Sequence, residues 1–327
     1  MQSKALIFLL TASFFSCLAQ NQKEMTTNIN PLLCNPETGI CEIPGAANVA
    51  DNQEINAVNK PVKIIYFTDP ICSSCWGIEP QLRRLKLEYG HDVEVEYHMG
   101  GLLPDWSYNS GGISKPSDVA HHWDEVSLHY KMPIDGDVWL EDPLDSSYPP
   151  SIAFKAAQLQ DEKKAIVFLR HLREMVFLQK KNITKWEVIA QAALKTGLDA
   201  AQLRKDYEGK AKELFQADLG LAKKMGVRGF PSIFVSNATG NSEFIYGTKP
   251  YLQYENGIQK IYPAAHKKAY KKDWESLFGK YPTLTLREFA ELGDISFQEA
   301  EETLEKLVAG NKLKKFVTKN GAIWIKE

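Results

Sequence analysis

No stretch of the 327-residue chain approaches about twenty consecutive apolar residues, which excludes a transmembrane helix. Charge of one sign is missing as well. The 39 Lys and Arg are matched by 41 Asp and Glu, a net charge of -2, so nothing biases the whole surface toward nucleic acid or anionic membrane. Histidine is sparse at 7 residues, and the adjacent pair His121-His122 would point two ways from a helix with no third ligand nearby, so no metal site is expected. Trp76, Trp106 and Trp123 read as packing or groove-lining residues, and no cofactor is expected. Cysteine is limited to 5 residues, and these carry most of the chemical signal. The 44% of hydrophobic and 24% of charged residues describe a globular chain long enough for two or three domains or subdomains.

Two of the cysteines lie in Asp69-Pro70-Ile71-Cys72-Ser73-Ser74-Cys75-Trp76-Gly77. The β-branched and aromatic run Val62 to Thr68 before it reads as a buried strand that Pro70 stops. After it, Leu82, Leu85 and Tyr89 share a helical face. The pair therefore falls at the first turn of a helix, where unpaired backbone N–H groups and the macrodipole favour a thiolate. Thiol–disulfide exchange needs that thiolate, so Cys72 is the candidate nucleophile and Cys75, one turn on, the resolving thiol. A passive disulfide or a zinc half-site would use the same residue types, but a four-cysteine zinc site needs a second closely spaced pair. Asp69 and Glu79 flank the pair as candidates for tuning its pKa, or as carboxylates that merely cap a helix start.

Residues 1–19 have the form of an export signal, with Lys4 at the start, an apolar core from Ala5 to Phe15, and Ser16-Cys17-Leu18-Ala19 as a processing site. Cleavage after Ala19 would release a soluble chain into the periplasm or cell envelope, whereas Cys17 offers a lipid anchor. Four cysteines then remain, compatible with two disulfides. Cys34 and Cys41 bracket a turn made by Pro36 and Gly39, so their sulfurs can meet. Such a small loop would contribute about 2.5 kcal/mol as a staple. Alternatively the pair is a relay that exchanges electrons with Cys72 and Cys75, which requires residues 20–60 to fold back onto the active-site helix.

Val93 to Met99 alternates as a half-exposed strand, completing a βαβ unit with parallel strands. Residues 104–226 then read as a helical insertion of about five helices, with Thr184 and Asp199 as N-caps, Gly197 and Gly226 as stops, and one helix over Ala200 to Lys224. The sheet resumes with a strand at Gly229 to Val235 and another at Glu243 to Gly247, followed by a helix from Tyr251 to Ile261. The fold class is α/β, with the sheet built from residues 61–103 and 227–270.

This order, the pattern of Asp69, Pro70, Cys72, Cys75, Trp76, Gly77, Glu79 and Pro80, and the late Gly229-Phe230-Pro231 resemble the DsbA-like branch of the thioredoxin fold, close to FrnE-type proteins and to bacterial Clp-protease adaptors. The resemblance implies a cis Pro231 facing the cysteine pair and Phe230 beside the backbone of bound substrate. It departs from the strongly oxidising members at Ser73-Ser74, where they carry Pro-His, so no imidazole partners the Cys72 thiolate. The implied activity is an exported thiol–disulfide oxidoreductase, acting as oxidase, isomerase or reductase on cysteine-containing proteins with a separate redox partner. The alternative is a non-catalytic protein-binding adaptor on the same fold.

Residues 280–327 form a further module of two helices and a hairpin turned at Asn320-Gly321, resembling a winged helix. DNA binding is excluded by charge, since eight basic residues from Lys280 onward meet eight acidic ones and the second helix is acidic. Protein contact or dimerisation suits it better.

Overall fold

The structure, a computed structural model, describes residues 39–42, 60–107 and 115–327. Residues 1–19, expected to be an export signal and including Cys17, lie outside the described residues, as does Cys34. No helix among those described is long and apolar enough to cross a membrane.

The chain opens with β1 (Cys41–Glu42), β2 (Val62–Thr68), α1 (Ser73–Gly77), α2 (Glu79–Tyr89) and β3 (Val93–Met99). As the βαβ crossover predicts, β3 runs parallel to β2, from Val62 opposite Val93 to Thr68 opposite Met99. The helical insertion comprises α3 (Pro116–Tyr130), α4 (Val138–Glu141), α5 (Tyr148–Gln160), α6 (Glu162–Leu178), α7 (Trp186–Lys195), α8 (Ala200–Glu208) and α9 (Lys210–Lys224). The expected single helix over 200–224 is broken at Gly209, whose φ of -115° and ψ of -111° leave the helical region. Thr184 is not a cap: Lys185 holds the N-cap position of α7, and the Thr184 amide donates to Asn182 Oδ1. Asp199 does cap α8, accepting from the Ala201 and Gln202 amides.

β4 (Gly229–Phe230), β5 (Ser232–Ser236), β6 (Ser242–Tyr246) and α10 (Tyr251–Ile261) follow. The expected continuous strand from Gly229 is divided by Pro231, which has no N–H to give a ladder. Its two halves serve different partners. β5 joins the central sheet, in the order β3-β2-β5-β6 with β2–β5 and β5–β6 antiparallel, while β4 pairs with β1. Buried Ile64, Tyr66, Phe67, Ile233 and Val235 join this sheet to the large core shared with the helical insertion.

The chain ends in α11 (Trp274–Lys280), β7 (Thr283–Thr285), α12 (Leu286–Gly293), α13 (Phe297–Ala309), β8 (Lys314–Thr318) and β9 (Gly321–Ile325). The three strands form an antiparallel sheet in the order β7-β9-β8. Capping boxes, Thr285 with Glu288 and Ser296 with Glu299, start α12 and α13. This module has its own core around Leu284, Phe289, Leu292 and Leu304, yet polar contacts fasten it to the rest. Arg170 donates to both Glu288 oxygens, at 2.8 and 3.0 Å, Arg83 reaches the Thr283 carbonyl at 2.7 Å, and Arg287 reaches the carbonyls of Gly77 and Tyr130.

Candidate functional site

Cys72 occupies the N-cap position of α1, at the end of the turn that Asp69 and Pro70 make after β2. The Cys75 amide donates to Cys72 Sγ at 3.1 Å, so a backbone donor is aimed at the sulfur where negative charge would develop. The two cysteines are joined by a disulfide, and both are 0% exposed. Gly77 follows because the ring of Tyr130 lies where a side chain would begin, 2.6 Å from a Cβ built there. The Tyr130 hydroxyl in turn shares a 2.9 Å hydrogen bond with Ser74 Oγ. Trp76 packs as expected: its ring stacks on Phe177, its Nε1 donates to the Pro133 carbonyl, and Arg170 lies over its face.

The Phe230–Pro231 peptide bond is cis. Phe230 is fully buried with its ring over Gly100, where an added Cβ would lie 1.7 Å from the ring carbon Cζ. Beside it runs an extended strand, and that strand belongs to the chain itself. In the β1–β4 ladder Cys41 is opposite Phe230 and Glu42 opposite Gly229. The Gly39 carbonyl accepts from the Thr248 amide at 2.9 Å, and the Cys41 and Cys72 sulfurs lie 3.4 Å apart. Cys41 is itself in a disulfide, and it too is 0% exposed. Cys72, Cys75, Cys41 and Phe230 are thus brought together around one ladder, whereas Cys34 is outside the described residues.

Asp69 and Glu79 are not surface carboxylates. Asp69 is 0% exposed and ties the turn together, accepting from the Ile71 and Leu102 amides and from Ser147 Oγ at 2.8 to 3.0 Å. Burial outweighs these donors and pushes its pKa up to about 6. Burial would likewise raise Glu79, but Arg173, Arg170 and Arg83 overcome it and hold the carboxyl below its usual range. Arg173, 1% exposed, donates to Glu79 at 2.6 Å, to Thr68 Oγ1 at 2.6 Å and to the Asp69 carbonyl at 3.2 Å. Nothing in the sequence marked Arg170 and Arg173, because cations in a helix ordinarily read as a solvated face.

A stability profile follows from these directions. The raised Asp69 pKa favours folding while the carboxyl is protonated, so its contribution is full below about pH 4 and disappears as pH rises through about 6, a change of about 3 kcal/mol. Glu174, held down to about 2 against burial chiefly by Arg170, acts oppositely: its contribution is present above about pH 4.5 and lost toward pH 2. Denaturant titrations of the wild type and Asp69→Asn from pH 3 to 7 should show a stability loss between pH 4 and 6 that only the wild type carries. Parallel curves would remove Asp69 as its origin.

Among the described residues one group could hold a metal: His91, Asp92 and His266 bring their ligand atoms within 4.8 Å of one another. His91 and Asp92 immediately precede β3 and His266 follows α10, which puts the group at the opposite end of the parallel strands from the dithiol. A concavity of about 480 Å³ lies between α3 and the C-terminal sheet, lined by Leu128, Lys131, Phe297, Val317 and Trp324.

The profile of the thioredoxin family matches residues 66–256. Over 306 residues the chain is 35% identical to a protein from Halalkalibacterium halodurans named ClpXP adapter protein SpxH, spanning 92% of this chain and 99% of that one. A Bacillus subtilis protein of the same name is 30% identical over 270 residues, 81% of this chain and 89% of its own. Among solved structures, a candidate protein disulfide isomerase from Nitrosomonas europaea superposes with a TM-score of 0.52 at 19% identity, covering 62% of this chain and 96% of its own. A probable DsbA oxidoreductase from Streptomyces coelicolor gives 0.51 at 12% identity, covering 64% and 94%. These two likenesses establish the fold.

Proposed function

Because the chain belongs to the thioredoxin family, alongside the SpxH proteins, we propose that it is a protein-binding adapter on a DsbA-like fold. The observation that carries this reading is where the similarities stop. The DsbA-like structures cover 62 and 64% of the chain, whereas the SpxH relative from Halalkalibacterium halodurans aligns over 92% of it. What this chain adds to a bare DsbA-like fold is therefore largely shared with proteins named as adapters. Beyond the thioredoxin match, which ends at residue 256, lies a C-terminal module fastened by buried ion pairs, a surface held in fixed relation to the dithiol.

A second reading is favoured by the dithiol itself: thiol–disulfide exchange with cysteine-containing proteins, after export directed by residues 1–19. The backbone donor on Cys72 Sγ, and an extended strand lying against β4 beside it, supply the parts this chemistry needs. Cys72 would attack the substrate sulfur and Cys75 resolve the mixed disulfide.

One set of variants separates the readings. As an adapter, the purified protein binds ClpXP with the same affinity when both Cys72 and Cys75 are alanine, and insulin reduction is negligible. As an oxidoreductase, Cys75→Ala accumulates mixed disulfides with client proteins, Cys72→Ala does not, and cell fractionation recovers the chain from the envelope. ClpXP binding that vanishes with the cysteines, together with insulin turnover, would make thiol exchange the primary activity and adapter binding the secondary one.

A further inference from the structure

We infer that Cys41 is the resident exchange partner of Cys72, a third redox-active cysteine delivered on a strand that pairs with β4 beside the dithiol. The inference rests on the thiol-exchange reading and extends it.

Residues Gly39 to Glu42 do more than a staple requires. A local disulfide needs only a turn, but here the segment makes an antiparallel ladder with β4, placing Cys41 opposite Phe230. Its far end is held by Thr248, whose amide and hydroxyl both donate to the Gly39 carbonyl, at 2.9 and 3.1 Å. Gly39 has a φ of +66°, and a Cβ on it would lie 2.3 Å from Thr248 Cβ, so this residue suits the approach in conformation and in space. The result is one sulfur aimed at another: Cys41 Sγ lies 3.4 Å from Cys72 Sγ, with both residues 0% exposed. While this strand is docked, Cys41 is the cysteine other than Cys75 that Cys72 meets among the described residues.

The exchange balances within the chain. With the Cys72–Cys75 pair reduced, the Cys72 thiolate attacks Cys41 Sγ. The Cys41–Cys72 bond forms, the existing Cys41 disulfide breaks, and its other sulfur leaves as a thiolate and takes a proton. Cys75 then attacks Cys72, closing the Cys72–Cys75 disulfide and releasing Cys41 as a thiol. Two electrons pass from the dithiol to the N-terminal disulfide, and the reverse sequence returns them.

Cys75→Ala in the full-length chain stops the sequence at its midpoint, with Cys75→Ser as a second variant should the first not fold. Non-reducing peptide mapping should find Cys41 joined to Cys72 in most molecules, with one new alkylatable thiol elsewhere. The joined species should form at a rate independent of protein concentration. If Cys72 instead stays a thiol with no Cys41–Cys72 peptide, yet forms a mixed disulfide with glutathione disulfide, the relay is wrong and the exchange reading stands. If Cys72 reacts with neither, the exchange reading fails and the relay with it.

Discussion

Glu288→Ala is expected to destabilise the folded chain by about 3–5 kcal/mol, a large share of the stability of an ordinary domain. Glu288 is 0% exposed and receives two hydrogen bonds from Arg170, with Arg83 Nη1 a further 3.2 Å away. Its other task is local: Oε2 accepts from the Thr285 amide and completes the capping box of α12. Removing the carboxylate leaves buried guanidinium groups short of their counter-charge and uncaps a helix in the same step. Those guanidiniums belong to α2 and α6, so the loss should appear in one cooperative transition of the whole chain, read by denaturant unfolding. Glu299→Ala breaks the equivalent box of α13 on an exposed surface and should cost about 1 kcal/mol. A Glu288 variant that melts only the C-terminal module, or loses less than Glu299→Ala, would contradict the coupling.

Gly39→Val is expected to raise the rate at which iodoacetamide alkylates Cys72 in the reduced protein at least tenfold. Valine strongly disfavours φ near +66°, and its Cβ would meet Thr248 at 2.3 Å on the side chain and 2.6 Å at the backbone nitrogen. The strand must therefore leave β4, uncovering a sulfur that is otherwise 0% exposed. Tenfold asks for only about 1.4 kcal/mol of lost docking, well within the cost of such a clash. Gly240→Ala is the control, since Gly240 also has positive φ, +84°, but open space where its Cβ would go. It should leave Cys72 reactivity unchanged. Equal rates in Gly39→Val and the wild type would mean that the strand does not shield the dithiol.

Much of the scaffold was legible because it rests on local rules. Strand propensity and a stopping proline located β2, and alternation located β3. The cis Pro231 came from the resemblance, and the structure agrees. What escaped were features whose cause lies far away in sequence. A two-residue strand has no periodicity to detect, so β1 could be entertained only as a segment folding back. Asp69 and Glu79 looked like exposed capping groups because the donors that bury them, Ser147 and Arg173, come from the helical insertion. Tyr130 is a tertiary partner too, its ring fixing Gly77 and its hydroxyl meeting Ser74 from 56 residues away. Pro231 dividing one apparent strand between two partners is a tertiary result as well.

The strand opposite Phe230 also sets a threshold on who may enter. Any incoming polypeptide must win the β4 edge from a competitor that is never diluted, because it is carried on the same chain at an effective concentration on the order of millimolar. If docking is favoured tenfold over release, every rival strand binds about tenfold more weakly than the bare edge would allow. Weak and incidental strands are turned away by that margin, and a partner able to loosen residues 39–42 from Thr248 would recover it in full.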